Sequence, residues 1–407
     1  MAGKPAGEHA RVGLFGLLGS GNIGNDASAA AVLSYLRQAH PDLVIDAMCM
    51  GPERVRAGLG IDAVPLLWFR RFDGRVSGIA ASLLKVLGKG VDTFRIASWT
   101  RRHDVIIVPG MGVLEASLPL RPWGVPYAMF LLCASGRLLR TKVALVSVGA
   151  TVINQRATRW LVTTAARLAS YRSYRDAASL DAMTKAGVDT SADRVYPDLV
   201  YATPALPGGP GDPQVVGVGV MAYYGTNDHR AEADDIYTAY VGGMKRFVRW
   251  LADSGHRVRI FVGDECDQPV ADDIVADLRS YRPDLGPDWI VAEPIASFTD
   301  LMRAMLPAGS VVATRYHNVM CALKLGKPVI SLGYSAKNIA LMTDMGLPEF
   351  CQFAHSLDVD RLFEQFTELE SQRAPITEMI AVRYAEQAKH LEEQFAELSA
   401  LFFQAAG

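Results

Sequence analysis

The side chains best suited to chemistry lie in one short stretch. Arg315 and His317 follow the apolar run Ser310–Thr314, and Lys337 follows a second such run, Pro328–Leu332. The first run predicts a buried strand ending at Thr314. A helix is expected from about Tyr316 to Leu325, stopped by Gly326, with Pro328 opening the next strand. Arg315 and His317 then stand where a strand's carboxyl end meets a helix's amino end. Backbone N–H groups and the helix dipole favour an anion there. Arginine adds a planar fork that fits phosphate or carboxylate. An imidazole, titrating near pH ~6.5 when unperturbed, can pass a proton at neutral pH. Lys337 repeats the placement at the next helix start. A guanidinium, an imidazole and an ammonium on one rim suit a small polyanion.

A second pattern follows the predicted strand Val12–Leu18. Gly19, Gly21 and Gly24 match a G-x-G-x-x-G spacing, and Asp46 lies 22 residues beyond Gly24 at the end of another predicted strand, Leu43–Met48. This meets the dinucleotide fingerprint, so an NAD(P)-dependent Rossmann enzyme is an alternative reading. A tight glycine turn is needed in either case. Asn22, Asn25 and Asp26 crowd the helix start, where Asn and Asp cap well.

The elements that must position these groups alternate between short apolar runs and helical patterns, the signature of α/β layering. Further strands are expected at Asp104–Val108 and Lys142–Val148, then at Val215–Met221, Val258–Val262 and Trp289–Val291. Between the two series, residues 203–213 read TPALPGGPGDP, which has the composition of an interdomain linker. The expectation is two doubly wound Rossmann-like domains facing across a cleft: residues 1–205 on the acceptor side, and residues 214–407 on the donor side with a helical tail from about Ile376 to Phe403. In open α/β sheets, ligands bind beyond the carboxyl ends of the strands.

Composition narrows the function class. The chain has 407 residues, half of them hydrophobic, and a formal net charge of -2. That gives no support for a nucleic-acid partner. The five cysteines (Cys49, Cys133, Cys266, Cys321 and Cys351) are scattered, without a C-x-x-C pair. This fits reduced thiols in the cytoplasm, without a disulfide framework or zinc site. No His/Asp/Glu cluster has clear metal-ligand spacing. No signal-peptide core and no long apolar run occurs, so neither export nor a membrane span is expected. Residues 68–102 are basic and apolar together: Arg70, Arg71, Arg75, Lys85, Lys89, Arg95, Arg101 and Arg102 face only Asp73 and Asp92. This pattern allows peripheral contact with the inner membrane face, or a solvated face over a core helix.

The run SFTDLMRAML, then VVATRYHNVMCALKLGKPVISLGYSAKN, then MGLP, spanning Ser297–Pro348, resembles the C-terminal signature of the polysaccharide pyruvyl transferases. Upstream, GNIGNDA resembles that family's N-terminal loop and PGMGVLE its glycine-rich turn. Arg175-Asp176-Ala-Ala-Ser179 and Pro197-Asp198 resemble its RDxxS and following Asp motifs. The chain differs from the pattern at Asn25, Pro109 and Asn318.

The resemblance implies a two-domain fold of the GT-B kind and transfer of pyruvate from phosphoenolpyruvate to a saccharide or glycolipid as a ketal, with no cofactor and no metal. It implies donor binding by Arg315, His317, Tyr334, Ser335 and Lys337, with Arg315, His317 and Lys337 also catalytic. The N-terminal glycine loops would meet the sugar, making Asn22, Asp26, Gly110, Gly112 and Glu115 acceptor candidates. Arg175, Asp176, Ser179 and Asp198 read as a structural network. A sugar-nucleotide glycosyltransferase of the same architecture is the other alternative; it would need an acidic ribose contact such as Asp264 or Glu265.

Overall fold

The structure is a computed structural model. It describes residues 10–69, 78–115, 122–204, 206–225 and 227–403. The chain divides into two compact units. The first takes Met1–Ser20, Asn25–Thr203 and His390–Gly407; the second takes Gly21–Gly24 and Pro204–Lys389.

Among the described residues, the first unit carries strands β1 (Arg11–Gly16), β2 (Val44–Cys49), β3 (Asp62–Pro65), β4 (Val105–Pro109), β5 (Lys142–Val148), β6 (Tyr171–Tyr174) and β7 (Arg194–Val195). Its helices are α1 (Ile23–Ala39), α2 (Pro52–Leu59), α3 (Gly78–Thr100), α4 (Val125–Leu139), α5 (Arg156–Leu168) and α6 (Ala177–Lys185). The seven strands are all parallel, in the order β3-β2-β1-β4-β5-β6-β7. The sequences VIIVP of β4 and KVALVSV of β5 are nearly continuous apolar runs, as a parallel sheet covered on both faces requires. Helix α2 starts with Pro52 in its first turn and ends at Gly60 in the left-handed region (φ 64°). The Asp176 carboxylate caps α6 by accepting the Ser179 N–H at 2.6 Å.

The second unit carries β8 (Asp212–Gly219), β9 (Arg257–Phe261), β10 (Ile290–Ala292), β11 (Ala308–Ala313), β12 (Val329–Gly333) and β13 (Cys351–Phe353). Helices α7 (Ala233–Asp253), α8 (Gln268–Tyr281), α9 (Phe298–Met305), α10 (Tyr316–Lys324), α11 (Ala336–Asp344), α12 (Val359–Ser371) and α13 (Arg373–Phe402) accompany them. The order is β10-β9-β8-β11-β12-β13, again all parallel. Chain order therefore reverses between β8 and β11. The carboxyl ends of these two strands form the topological switch point, where doubly wound sheets take their ligands.

Two boundaries differ from the sequence reading. Asp212 and Pro213, read as linker, already belong to β8. Lys327, fully buried, donates to the carbonyls of Gly209 (2.9 Å) and Leu306 (3.0 Å), which ties this segment to the second unit. The end of α13, read as part of the second domain, belongs to the first from His390 onward. There the buried Gln394 amide donates to Ser173 Oγ (2.7 Å) and accepts from Ser147 Oγ (3.0 Å). Glu397 accepts from the Tyr196 hydroxyl at 2.8 Å, and Phe395 stacks on Tyr35 with centroids 4.4 Å apart. A helical period shows that such a helix exists, but its partners are set by these side chains.

Candidate active site

Arg315 is the N-cap of α10, in extended backbone (φ −69°, ψ 132°). Its guanidinium runs to Asp267, with Nε donating to Oδ2 at 2.8 Å and Nη2 to Oδ1 at 2.7 Å. The Asp267 carboxylate is fully buried and also accepts the Ala222 N–H at 2.9 Å. The arginine side chain keeps 17% exposure, so the fork is fixed from one side and open on the other. Burial opposes its charge, but the bonds to Asp267 outweigh this and hold its pKa above the ordinary arginine range. Cys266 Sγ lies 3.4 Å from Nη2. Burial, then the Asp267 and Asp264 carboxylates, push that thiol up to about 11, so it is protonated at neutral pH.

His317, one residue into α10, sets its ring perpendicular to that of Tyr316, with centroids 5.3 Å apart. Within the same unit, Gly24 lies directly against the imidazole: a Cβ on Gly24 would stand 2.0 Å from His317 Cε1. Gly24 donates its N–H to Asn22 Oδ1 at 3.1 Å, and Asn22 forms a short antiparallel bridge with Asp264. The third glycine of the G-x-G-x-x-G pattern is thus required by the imidazole that packs on it.

Lys337 occupies the corresponding position of α11. Its Nζ stands over the rings of Tyr334 (5.3 Å to the centroid) and Tyr316 (5.5 Å). Tyr316 therefore contacts both His317, ring perpendicular to ring, and Lys337, whose ammonium lies over its face. Ser335, the N-cap of α11, places Oγ 3.3 Å from Asn338 Oδ1. Arg315, His317, Tyr334, Ser335 and Lys337 are gathered at two adjacent helix starts, after neighbouring strands and beside the switch point. Asn318 is buried and fits against two glycines; Cβ atoms there would lie 2.8 Å (Gly219) and 3.0 Å (Gly263) from its amide.

In the first unit, Glu115 is ion-paired with Arg175, whose other nitrogens lie 3.6 Å from Asp198 and 3.8 Å from Asp176. Gly112 and Gly149 clear space for the Glu115 carboxylate: Cβ atoms there would come within 2.6 and 2.3 Å of it. Ser179 Oγ accepts the Ala150 N–H at 3.0 Å, and Asp198 accepts the Val200 N–H at 3.1 Å. Gly110, at φ 53°, packs on Ser28. The Asp26 carboxylate accepts the Gly19 N–H at 2.6 Å. Burial raises its pKa against that hydrogen bond and the nearby Arg54.

Asp46 does not offer a free carboxylate for a ribose. Oδ1 accepts from Trp99 Nε1 at 2.8 Å and lies 3.1 Å from His103 Nε2, while Oδ2 accepts from Arg11 at 3.2 Å. Burial opposes ionisation there, but the bonds from His103, Trp99 and Arg11 prevail and lower its pKa. Gly19 has its own steric reason: at φ 67°, its Cβ would lie 2.2 Å from the Gly51 carbonyl oxygen. Asp264, the acidic alternative in the second unit, caps the turn at Glu265–Asp267 by accepting the Cys266 N–H at 3.2 Å.

The order of these motifs along the chain agrees with the comparison to known families, where the polysaccharide pyruvyl transferase model matches residues 22–336. The chain belongs to the polysaccharide pyruvyl transferase family. A curated relative is the amylovoran biosynthesis protein AmsJ of Erwinia amylovora, 29% identical over 90 residues. That match covers 20% of this chain and 22% of AmsJ. Among solved structures, the chain resembles a putative UDP-N-acetylglucosamine 2-epimerase from Listeria monocytogenes (TM-score 0.63, 11% identity, 97% of each chain covered). It also resembles the UDP-GlcNAc 2-epimerase of Neisseria meningitidis (0.58, 13%, 95% of this chain and 100% of that one). A third is the glycosyltransferase SnogD from Streptomyces nogalater (0.53, 13%, 97% and 100%). These likenesses establish the GT-B fold for this pyruvyl transferase family member.

Proposed function

We propose that this family member transfers pyruvate from phosphoenolpyruvate to two hydroxyls of one sugar, forming a ketal on a glycan or glycolipid and releasing phosphate. The observation that carries the reading is the Arg315 fork, held by buried Asp267 beside His317 and Lys337 at the switch point. A donor with a phosphate and a carboxylate on one carbon needs such a cluster of cations.

In the proposed reaction, two sugar oxygens form bonds to C2 of the donor and the C2–O bond to phosphate breaks. One hydroxyl proton is balanced by protonation of the methylene to methyl, and the other by the departing phosphate. Arg315 holds phosphate or carboxylate, and Lys337 offsets charge growing on the leaving phosphate. His317 donates a proton, either to the methylene carbon or to the phosphate. The acceptor is assigned to Asn22, Asp26, Gly110, Gly112 and Glu115. No cofactor is needed for this chemistry as written. A cytoplasmic setting is proposed because all five cysteines are free thiols.

The test is phosphate release from phosphoenolpyruvate with a panel of saccharide and glycolipid acceptors, and product mass as the second readout. Acceptor-dependent release in wild type, lost in His317→Ala, supports the proposal. Wild-type turnover in a folded His317→Ala variant removes His317 from the mechanism.

A further inference from the structure

Helix α3 has two apolar faces. One is buried: Ile96 and Trp99 point into the core of the first unit. The other lies in the open, with Val86 72%, Leu87 64% and Phe94 79% exposed. At 3.6 residues per turn these three fall within about 100° of arc, opposite the buried side, and span about 12 Å of helix axis. A fourth exposed apolar side chain stands beside them. Trp123, 62% exposed, packs edge-on against Tyr127 with centroids 5.5 Å apart. Tyr127 in turn meets α3, its hydroxyl 3.1 Å from Thr93 Oγ1 and its ring under the Lys89 ammonium at 6.0 Å.

The charged side chains that α3 itself brings to this face are cations. Lys89 borders it on α3, Lys85 lies one turn earlier with its ammonium over the Phe69 ring at 5.1 Å, and Arg101 and Arg102 are exposed just past the helix end. The only acid in α3, Asp92, faces inward, where it accepts the Trp68 N–H at 2.8 Å and pairs with Arg95 at 3.2 Å. Residues 70–77 of the basic stretch lie outside the described residues.

We propose that this face of the first unit docks on the surface of an anionic lipid bilayer. Exposed aromatic and aliphatic side chains flanked by cations match the boundary between acyl chains and acidic headgroups. A two-fold contact with a second copy would bring the same cations face to face, with the one acid of α3 turned inward. The contact is peripheral: among the described residues, no helix is long and apolar enough to cross a membrane. The inference rests on this surface alone and is independent of the donor assignment. If both hold, the enzyme meets a lipid-linked acceptor at the membrane that carries it.

The experiment is co-sedimentation of the full chain with vesicles of equimolar phosphatidylglycerol and phosphatidylcholine, and with phosphatidylcholine alone, at low and high salt. Wild type should pellet with the anionic vesicles at low salt and be released by high salt. The double variant Leu87→Ser/Phe94→Ser should lose binding roughly tenfold or more. Lys85→Gln/Lys89→Gln should lose about fivefold per lysine. Both variants should keep the wild-type melting temperature, because the replaced groups are on the surface. Three outcomes overturn the proposal: wild type stays in the supernatant at low salt, a folded double variant pellets like wild type, or sedimentation velocity shows a dimer that the double variant breaks without any vesicle binding.

Discussion

Replacing Asp267 should damage both the stability of the second unit and its hold on the donor. Asp267 is fully buried and accepts two charge-assisted bonds from Arg315 and one backbone N–H from Ala222. Removing one partner of a buried pair costs about 3–5 kcal/mol. Arg315 retains some solvent contact, so Asp267→Ala belongs near the lower end, at about 3 kcal/mol. For a domain of this size that lowers the melting temperature by roughly 6–12 °C. Asp267→Asn keeps the volume and one acceptor oxygen but turns an amide N–H₂ toward the guanidinium, so it should fold while leaving Arg315 unfixed. Turnover of phosphoenolpyruvate by Asp267→Asn should fall about ten- to hundredfold in kcat/KM, equivalent to ~1.4–2.8 kcal/mol. The assay is phosphate release against donor concentration, with melting temperature measured on the same samples. A purely structural aspartate would move the melting temperature alone. Wild-type kcat/KM in a folded Asp267→Asn enzyme would refute the idea that this carboxylate positions the catalytic arginine.

Two further predictions follow from packing and charge. Gly24→Ala sets a methyl 2.0 Å from His317 Cε1, so the imidazole must move; turnover should fall at least about tenfold with little change in melting temperature, and unchanged kcat would contradict the role given to His317. Asp46 has its pKa lowered by His103, Trp99 and Arg11. A lowered carboxylate contributes stability above its unfolded value of 3.8, and this is lost as pH falls through the folded value. Asp46→Asn should therefore be less stable than wild type by about 1–2 kcal/mol at neutral pH. The gap should close below about pH 4, and urea titrations at a series of pH values that find it constant would remove the ionised carboxylate from the account.

How much was legible in the sequence depended on how local each signal is. Strands β4, β5, β11 and β12 are runs of apolar residues buried on both faces, so they were visible within a residue or two. Strands β3, β6, β7 and β13 have two to four residues each and were not read. Sequences such as YRSY and CQF carry no apolar run, and these strands lie toward the outer ends of their sheets. The placement of Arg315, His317 and Lys337 after adjacent strands was readable because strand, helix and Gly326 stop occur in one continuous stretch. Asp267 was not, because it precedes Arg315 by 48 residues and joins it only through the pairing of β8 with both β9 and β11. Asp46 shows the opposite case. Its spacing from Gly24 satisfied a nucleotide motif, while its real partners, Trp99 and His103, lie more than fifty residues away.

The most direct test of the central claim is a melting-temperature survey with phosphoenolpyruvate, NADH, NADPH and UDP-sugars on wild type and Arg315→Ala. A ligand that binds only the folded state raises the melting temperature, by an amount set by its concentration over Kd. Phosphoenolpyruvate should stabilise wild type, and Arg315→Ala should abolish the shift. Stabilisation by a nicotinamide or a UDP-sugar, with phosphoenolpyruvate silent, would contradict the central claim.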